Sequence, residues 1–134
     1  YAKECEQKIE ELGISKSVTM ITDFLSDDAS FEHLYTADML VMPYRDTQES
    51  SSAAVRYAIA TNRPVVCTPI GIFNDVADIV HFFQDSSVQS MAQKLKELLK
   101  DEKTLYAKNE VQKRWIDEHD WKEVSKRLQT ILSL

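Results

Sequence analysis

The fold is decided by three consecutive pieces of sequence: DMLVMPY at positions 38–44, ESSSAAVR at positions 49–56 and RPVVCTPIG at positions 63–71. Short apolar runs over 39–42 and 64–67 are bounded by polar turns, which is typical of parallel strands buried on both faces. Between them, the almost wholly apolar run from Ala53 to Ala60 is long enough to be a crossover helix. Ligands of such sheets bind beyond the carboxyl ends of the strands, where Glu49 is expected.

The composition is that of one compact domain over residues 1–134, since 43% of the residues are apolar and only 2 are glycine and 3 proline. The chain carries 16 basic and 22 acidic residues, a net charge of −6. It therefore lacks the basic footprint of a nucleic-acid-binding protein, and any phosphate must be bound locally. No apolar run approaches the ~18 residues that span a bilayer, so we expect no membrane span.

The remaining reactive side chains are scattered. Cys5 and Cys67 each lie in an apolar pattern, which predicts two buried thiols in a reducing compartment. His33, His81 and His119 have no partner at metal-ligand or triad spacing, so we predict surface or core histidines and no metal site. Periodicity also predicts that both tryptophans, at 115 and 121, pack against apolar neighbours.

Alternating strands and helices predict an α/β fold of the doubly wound kind, with a parallel sheet covered on both faces and extra C-terminal helices. The predicted strands cover 18–24, 39–42, 64–67 and 81–83. The predicted helices of the first half run from Ala2 to Leu12 with Gly13 as the cap, over 27–35, and from a cap at Glu49 or Ser50 to about Asn62. The remaining predicted helices are a short one near Asp75, one over 88–99, a polar one through 105–115 that is interrupted near 117–120, and a last one over 121–132.

Several short motifs stand in the order and spacing of a known family. They are Ala37-Asp38 before the strand, Pro43-Tyr44 after it, Glu49, Asn62-Arg63-Pro64-Val65, and Gly71 to Asp75. They resemble the C-terminal half of the donor-binding domain of GT-B glycosyltransferases, especially the family-four group of retaining enzymes. That group has a Glu-x7-Glu motif, but the eighth position after Glu49 is Tyr57. Gly71-Ile72 likewise replaces a glycine pair, and Asp75 a glutamate.

The resemblance implies a Rossmann-like domain that binds a nucleotide-sugar donor and needs no metal or other cofactor. Relatives begin this domain with a strand, a glycine turn, and an Arg and a Lys that contact the diphosphate, and a separate N-terminal domain binds the acceptor. None of these occurs in the sequence. We therefore expect part of a larger cytoplasmic transferase, inactive alone, whose glycan or lipid-linked acceptor and any peripheral membrane contact involve other parts of the parent protein.

The resemblance assigns the catalytic role to Glu49, which would bind the sugar hydroxyls and stabilise an oxocarbenium-like sugar. The alternative is an acidic residue that merely favours a helix start. Backbone amides of Ser50, Ser51, Ser52 and Ala53 would receive the growing charge of the diphosphate, because a helix N-terminus attracts anions. The alternative for these serines is plain helix capping.

The other expected donor-binding residues are Arg56, Tyr57, Gly71, Ile72 and Phe73. The first, Arg56, could reach the phosphates or pair with Glu49, and Tyr57 could contact the ribose or pack as a buried aromatic residue. Gly71 would let the backbone approach a ligand. Ile72 and Phe73 could flank the base or sugar, with core packing an equal alternative for the phenylalanine.

The sequence leaves three functions open. The first is a glycosyltransferase that builds a polysaccharide or glycoconjugate. The second is a degenerate Rossmann-like module that has lost donor chemistry with Tyr57 and serves binding, assembly or regulation. The third is an α/β phosphate-binding domain unrelated to sugar transfer.

Overall fold

A computed structural model describes residues 1–133 of the chain, which divides into two compact units, residues 1–30 and the chain from Phe31 onwards. The helices are α1 (Ala2–Glu11), α2 (Asp27–Thr36), α3 (Ala53–Ala60), α4 (Val88–Lys100), α5 (Glu102–Leu105), α6 (Asn109–Glu118) and α7 (Trp121–Leu132). The strands are β1 (Leu40–Met42), β2 (Val65–Cys67) and β3 (His81–Phe82), and a 3₁₀ helix covers Gly71–Val76. From β1 to α4 the predicted alternation of strands and helices is confirmed.

The first unit contains α1, and Gly13 ends it as predicted. The amide of Gly13 donates to the carbonyl oxygen of Glu10 (2.9 Å), and the amide of Ile14 donates to that of Ile9 (3.1 Å). This pair of bonds is a Schellman motif, which requires a left-handed residue after the helix. Gly13 supplies it with φ 67°.

The strand predicted over 18–24 is wrong. These residues form no strand, and six of the seven are exposed, with Phe24 fully so. A strand persists only when its amides and carbonyls pair with a neighbouring strand. The strands among the described residues all lie in the second unit, from position 40 onwards. An alternating pattern without a pairing partner therefore stays irregular.

The second unit is built on a parallel sheet in the order β1-β2-β3. Leu40 stands opposite Val65 and Met42 opposite Cys67, while Val66 pairs with His81. This confirms the parallel sheet, with three strands rather than the predicted four. Because side chains alternate along a strand, Val65 and Cys67 point to one face of the sheet and Val66 to the other.

Both faces of the sheet are covered. One face carries the larger of two apolar clusters, in which β1, β2 and the chain before β3 pack against α3 and the 3₁₀ helix. The buried members of this larger cluster are Leu40, Val55, Ala58, Ile59, Val65, Cys67, Ile72, Phe73, Val76, Ile79 and Val80. On the opposite face, Val66 and Phe83 pack with Leu98 of α4 and Leu105 of α5. The doubly covered sheet is therefore confirmed, and each face has its own apolar cluster.

Ser52 begins α3, so the predicted cap at Glu49 or Ser50 is wrong. The Ser52 hydroxyl accepts a hydrogen bond from the amide of Val55 (3.2 Å) and donates one to the Tyr44 hydroxyl (3.3 Å). Ser52 is buried, whereas Glu49 and Ser50 are exposed in the preceding loop. The helix starts where a serine has both the capping geometry and a second partner. The helix ends at Ala60, and Asn62, which follows the C-cap residue Thr61, has φ 52°.

Buried polar groups attach the C-terminal helices to the sheet. The Gln112 amide nitrogen donates to the carbonyl oxygens of Ile59 and Arg63, both at 3.0 Å, and so joins α6 to the end of α3. The His81 Nε2 donates to the carbonyl oxygen of Leu105 (3.0 Å), and burial lowers the pKa of His81. Of the two predicted roles, surface or core, His81 therefore has the core role.

The two cysteines differ in how deeply they are buried. Cys67 is buried in β2, and burial raises the pKa of its thiol to about 12, so the thiolate is absent near neutral pH. Cys5 is only half-buried on α1, which contradicts the prediction for this residue. Its helix contributes no buried residue, because the whole first unit is small.

We predict that Gln112→Leu lowers the free energy of unfolding by about 1–3 kcal/mol, because it removes the donor shared by the carbonyl groups of Ile59 and Arg63. Urea unfolding followed by circular dichroism measures this loss. Gln93→Leu is the matched control, since Gln93 is exposed on α4 and should change stability by less than about 0.5 kcal/mol. Equal unfolding midpoints for the two variants would contradict the role of Gln112.

We also predict that Ser52→Ala costs about 1 kcal/mol of stability, because the Val55 amide loses its cap. The adjacent Ser51→Ala is the control; Ser51 is exposed and lies outside the helix, so this change should be nearly neutral. The same urea titrations measure both. A larger loss in Ser51→Ala than in Ser52→Ala would place the start of α3 before Ser52.

Candidate functional site

Two loops meet where β1 and β2 end. The Thr68 hydroxyl donates to the carbonyl oxygen of Tyr44 (2.8 Å), and the Thr68 amide donates to that of Met42 (3.2 Å). The Tyr44 ring packs on Phe73 with centroids 5.3 Å apart, and its hydroxyl accepts from Ser52. We call Tyr44, the loop 49–52 and Thr68 the strand-end rim. It lies at the carboxyl edge of the sheet, where ligands of such sheets bind.

Glu49 lies on this rim, three residues before the cap of α3. Its side chain is exposed, and its backbone amide donates to the Thr47 hydroxyl (3.3 Å). Ser50 and Ser51 are also exposed and lie outside the helix. The prediction that their amides belong to the helix start is therefore wrong. Of the four predicted amides, that of Ala53 does begin α3, and the amide of the residue after it follows.

Arg56 lies one turn into α3. Its guanidinium donates to the carbonyl oxygen of Ser52 (2.9 Å) and forms a salt bridge with Asp75 of the 3₁₀ helix. The suggested pairing with Glu49 is therefore wrong, and Asp75 serves as an ion-pair partner rather than as a helix cap. Both side chains are more than a third exposed, so the pair contributes little to stability. It does fix the guanidinium beside the first turn of α3.

Tyr57, in place of the second motif glutamate, faces outwards. Its ring stacks on Phe31 of α2, with centroids 5.1 Å apart and planes 14° from parallel, and its side chain is 37% exposed. The alternative of a buried aromatic residue is therefore wrong about burial, although the ring does pack, against Phe31.

A groove of about 920 Å³ runs along the outer face of α3. Its floor consists of residues one helical turn apart, and its walls come from α2, α6, the 3₁₀ helix and the start of α7; it is lined by Ala53, Arg56, Tyr57, Ala60, Phe31, Asp75, Trp115, Ile116, Asp117, His119, Asp120 and Trp121. Aromatic rings dominate these walls. Trp115 and His119 stack with centroids 4.0 Å apart.

The groove does not suit phosphate. Asp75 pairs with Arg56, Asp117 with Lys113, and Asp120 caps α7 through the Lys122 amide. Among the residues that line it, the single guanidinium is thus engaged, and carboxylates outnumber it. The groove presents aromatic surface to an uncharged group.

Three expected donor-binding residues lie around the 3₁₀ helix. Gly71 is exposed at its start, and a Cβ placed there would meet nothing within 4 Å. The side chains of Ile72 and Phe73 are both buried in the larger cluster. This supports the packing alternative given for Phe73, and it shows that Ile72, for which no such alternative was given, packs in the core as well. Close approach of the Gly71 backbone to a ligand stays a prediction.

Sequence reasoning missed the aromatic walls of the groove. Trp115 is half-buried and packs against the larger cluster as predicted, but Trp121 is 83% exposed, so its predicted packing is wrong. Spacing of four residues between Trp115 and His119 was the available signal for their stack. Within residues 1–133, no three His, Cys, Asp or Glu side chains converge as a metal site, and no helix is long and apolar enough to cross a membrane.

Comparison with known proteins agrees with this architecture. The C-terminal domain of a glycosyl transferase group 1 family protein, LpcC from Francisella tularensis, superposes with a TM-score of 0.72 at 20% identity over 88% of this chain. At that identity the likeness shows the fold alone, and the predicted GT-B C-terminal architecture is confirmed. This chain spans 61% of the length of that domain.

Sequence comparison gives the family. No curated protein sequence matches the chain. The profile described as glycosyl transferases group 1, however, matches residues 1–101, well over half of the 134. The predicted resemblance is therefore confirmed, and the third function, a phosphate-binding domain unrelated to sugar transfer, is set aside. The chain belongs to the group 1 glycosyl transferase family.

Proposed function

We propose that this chain supplies part of the nucleotide-sugar site of a retaining, metal-independent glycosyltransferase that builds a polysaccharide or glycoconjugate. The observation that carries the proposal is the strand-end rim. There the loop with Glu49 is attached to both strand ends through Ser52, Tyr44 and Thr68, directly before the start of α3. Family membership makes sugar transfer the reaction to be explained.

The donor diphosphate would bind at the start of α3. The first amides of that helix, beginning at Ala53, lack intrahelical partners, and the helix dipole adds roughly half a positive charge there. Arg56 lies beside this turn, but Asp75 offsets much of its charge. The amides are therefore the main groups that would receive the charge of the leaving diphosphate, and fixed dipoles of this kind can act without a metal.

Glu49 would act on the donor sugar. Its carboxylate is exposed on the rim and has the charge that stabilises a positively charged, oxocarbenium-like sugar. Tyr57, which lines the groove and is 37% exposed, would contact the ribose. The groove beyond it would receive an uncharged part of the donor, since its rings offer stacking surface.

The remaining parts of the enzyme would come from outside this chain. We propose that another part of a cytoplasmic parent protein binds the glycan or lipid-linked acceptor. This agrees with a chain that spans 61% of the similar C-terminal domain. The second candidate function, a non-catalytic module, is favoured by one observation: the ribose-binding glutamate is replaced by a tyrosine that stacks on Phe31.

Glu49→Gln in the transferase that contains this chain should lower kcat by more than about 100-fold, because the carboxylate that stabilises the transition state loses its charge. Steady-state kinetics with circular dichroism separates this from misfolding. Glu32→Gln is the control, since Glu32 is an exposed glutamate on α2 and lies outside the rim. Full activity in Glu49→Gln would contradict the catalytic assignment.

Tyr57→Glu should tighten nucleotide-sugar binding by about tenfold or more, because a carboxylate makes stronger hydrogen bonds to ribose hydroxyls than a phenol does. Titration calorimetry with uridine, guanosine and adenosine diphosphate sugars measures the affinity. The same variant should lose about 0.5–1.5 kcal/mol of stability with the Phe31 stack, whereas Tyr57→Phe should retain it.

If neither the wild-type chain nor Tyr57→Glu binds any of these donors, the non-catalytic module becomes the better description. A ligand that binds only the folded state also raises the melting temperature by mass action, so thermal unfolding provides an independent readout.

A further inference from the structure

The Tyr44 side chain is held in place by contacts that do not need its hydroxyl group. Its ring packs on Phe73 with centroids 5.3 Å apart, and its carbonyl oxygen accepts from the Thr68 hydroxyl (2.8 Å). The side chain is half-buried, so part of it reaches the surface of the strand-end rim. Packing and the backbone bond therefore fix the position of the ring, and the hydroxyl is left for another role.

The hydrogen bonds of Tyr44 and Ser52 leave one hydroxyl hydrogen unused. The two hydroxyls share a single bond of 3.3 Å, and the Ser52 oxygen also accepts from the Val55 amide. Each hydroxyl has one hydrogen, so one of the two hydrogens remains whichever group donates. Ser52 is only 5% exposed, and an unused donor there would be costly. Ser52 therefore donates, and the remaining hydrogen belongs to the half-buried Tyr44.

This hydrogen lies beside the first turn of α3. Its oxygen is one hydrogen bond away from Ser52, the N-cap residue, and within residues 1–133 no acceptor takes it. The other side-chain donor at this turn, Arg56, is held by the Ser52 carbonyl oxygen and by Asp75. The Tyr44 phenol is therefore a side-chain donor that an acceptor from outside the chain can use.

We propose that the Tyr44 phenol donates a hydrogen bond to a phosphate oxygen of the nucleotide-sugar donor. This inference rests on the proposed function, which puts the diphosphate at the start of α3. A phosphate oxygen suits the phenol because an O–H bond to a charged oxygen is about twice as strong as one to a neutral oxygen. Negative charge on the diphosphate grows as the glycosidic bond breaks, so the hydrogen bond is stronger in the transition state.

Tyr44→Phe in the transferase that contains this chain tests the proposal. Titration calorimetry should show that uridine, guanosine or adenosine diphosphate, whichever the wild type binds, binds about tenfold or more weakly to the variant. The affinity for the corresponding uncharged nucleoside should not change, because the lost contact is to phosphate. A merely structural hydroxyl would affect both ligands alike. Tyr35→Phe, which removes the phenol of a residue 50% exposed on α2, is the matched control.

Kinetics and spectroscopy provide two further readouts. At saturating donor, kcat of Tyr44→Phe should fall by about tenfold or more, whereas that of Tyr35→Phe should not. In the wild type labelled with ¹³C at the phenol carbon of tyrosine, the Tyr44 resonance is identified by its absence in Tyr44→Phe. It should shift when the nucleoside diphosphate is added and stay unchanged with the nucleoside. Circular dichroism should show both variants folded, since each change removes one oxygen atom.

The outcomes separate this inference from the function on which it rests. A wild-type transferase that binds no nucleoside diphosphate would overturn both. If the wild type binds one and Tyr44→Phe binds it equally well, or loses nucleoside and nucleoside diphosphate in equal measure, the role of Tyr44 is wrong and the donor site stands. The same holds if Tyr44→Phe weakens only the complete nucleotide sugar, because the phenol would then contact the sugar instead of phosphate.

Discussion

The parallel pairing of β1 with β2 is the constraint on which the rest of the second unit depends. Parallel strands cannot be joined by a tight turn, so the chain between Met42 and Val65 must travel back across one face of the sheet. Helix α3 makes that crossing, and its inner residues Val55, Ala58 and Ile59 are buried as a result. The register that aligns Met42 with Cys67 also ends both strands at the same edge. Their outgoing loops are thereby brought together.

Hydrogen bonds then convert a shared edge into a defined rim. Thr68 follows β2 and donates to the carbonyl oxygen of Tyr44, which follows β1, while the Tyr44 hydroxyl accepts from Ser52 at the start of α3. Three separate positions in the sequence are thus connected by side chains that are themselves half-buried or buried. Glu49 needs no contact of its own to be placed there, because the chain on either side of it is attached.

Periodicity predicted the elements that depend on contacts between residues close in sequence, or on the strand pairing that any parallel sheet provides. The strands at Leu40 and Val65, the crossover helix and the Gly13 cap follow from local patterns. Arg56 and Asp75 are 19 residues apart, and no local pattern distinguishes that partner from Glu49, which lies closer along the chain. The same limit explains the strand predicted over 18–24, because alternation describes a side-chain pattern and not the neighbour that a strand requires.

Helix α7 shows a second limit of sequence patterns, which predict an apolar face but not whether the fold buries it. Trp121 has the spacing of a core residue, and sequence alone cannot separate an apolar face that is buried within the chain from one that binds something else.

The two faces of helix α3 have different roles, one in packing and one in lining the groove. Its inner face packs on the sheet, so changes there would open cavities in the larger cluster. Arg56, Tyr57 and Ala60 lie on its outer face and line the groove instead. A tyrosine in place of a glutamate at position 57 therefore leaves the core intact, and the ring recovers some free energy by stacking on Phe31. Residues on such a face can be substituted, and the ligand that binds there can change, without a change of fold. The reason is that core packing constrains only the opposite side of the helix.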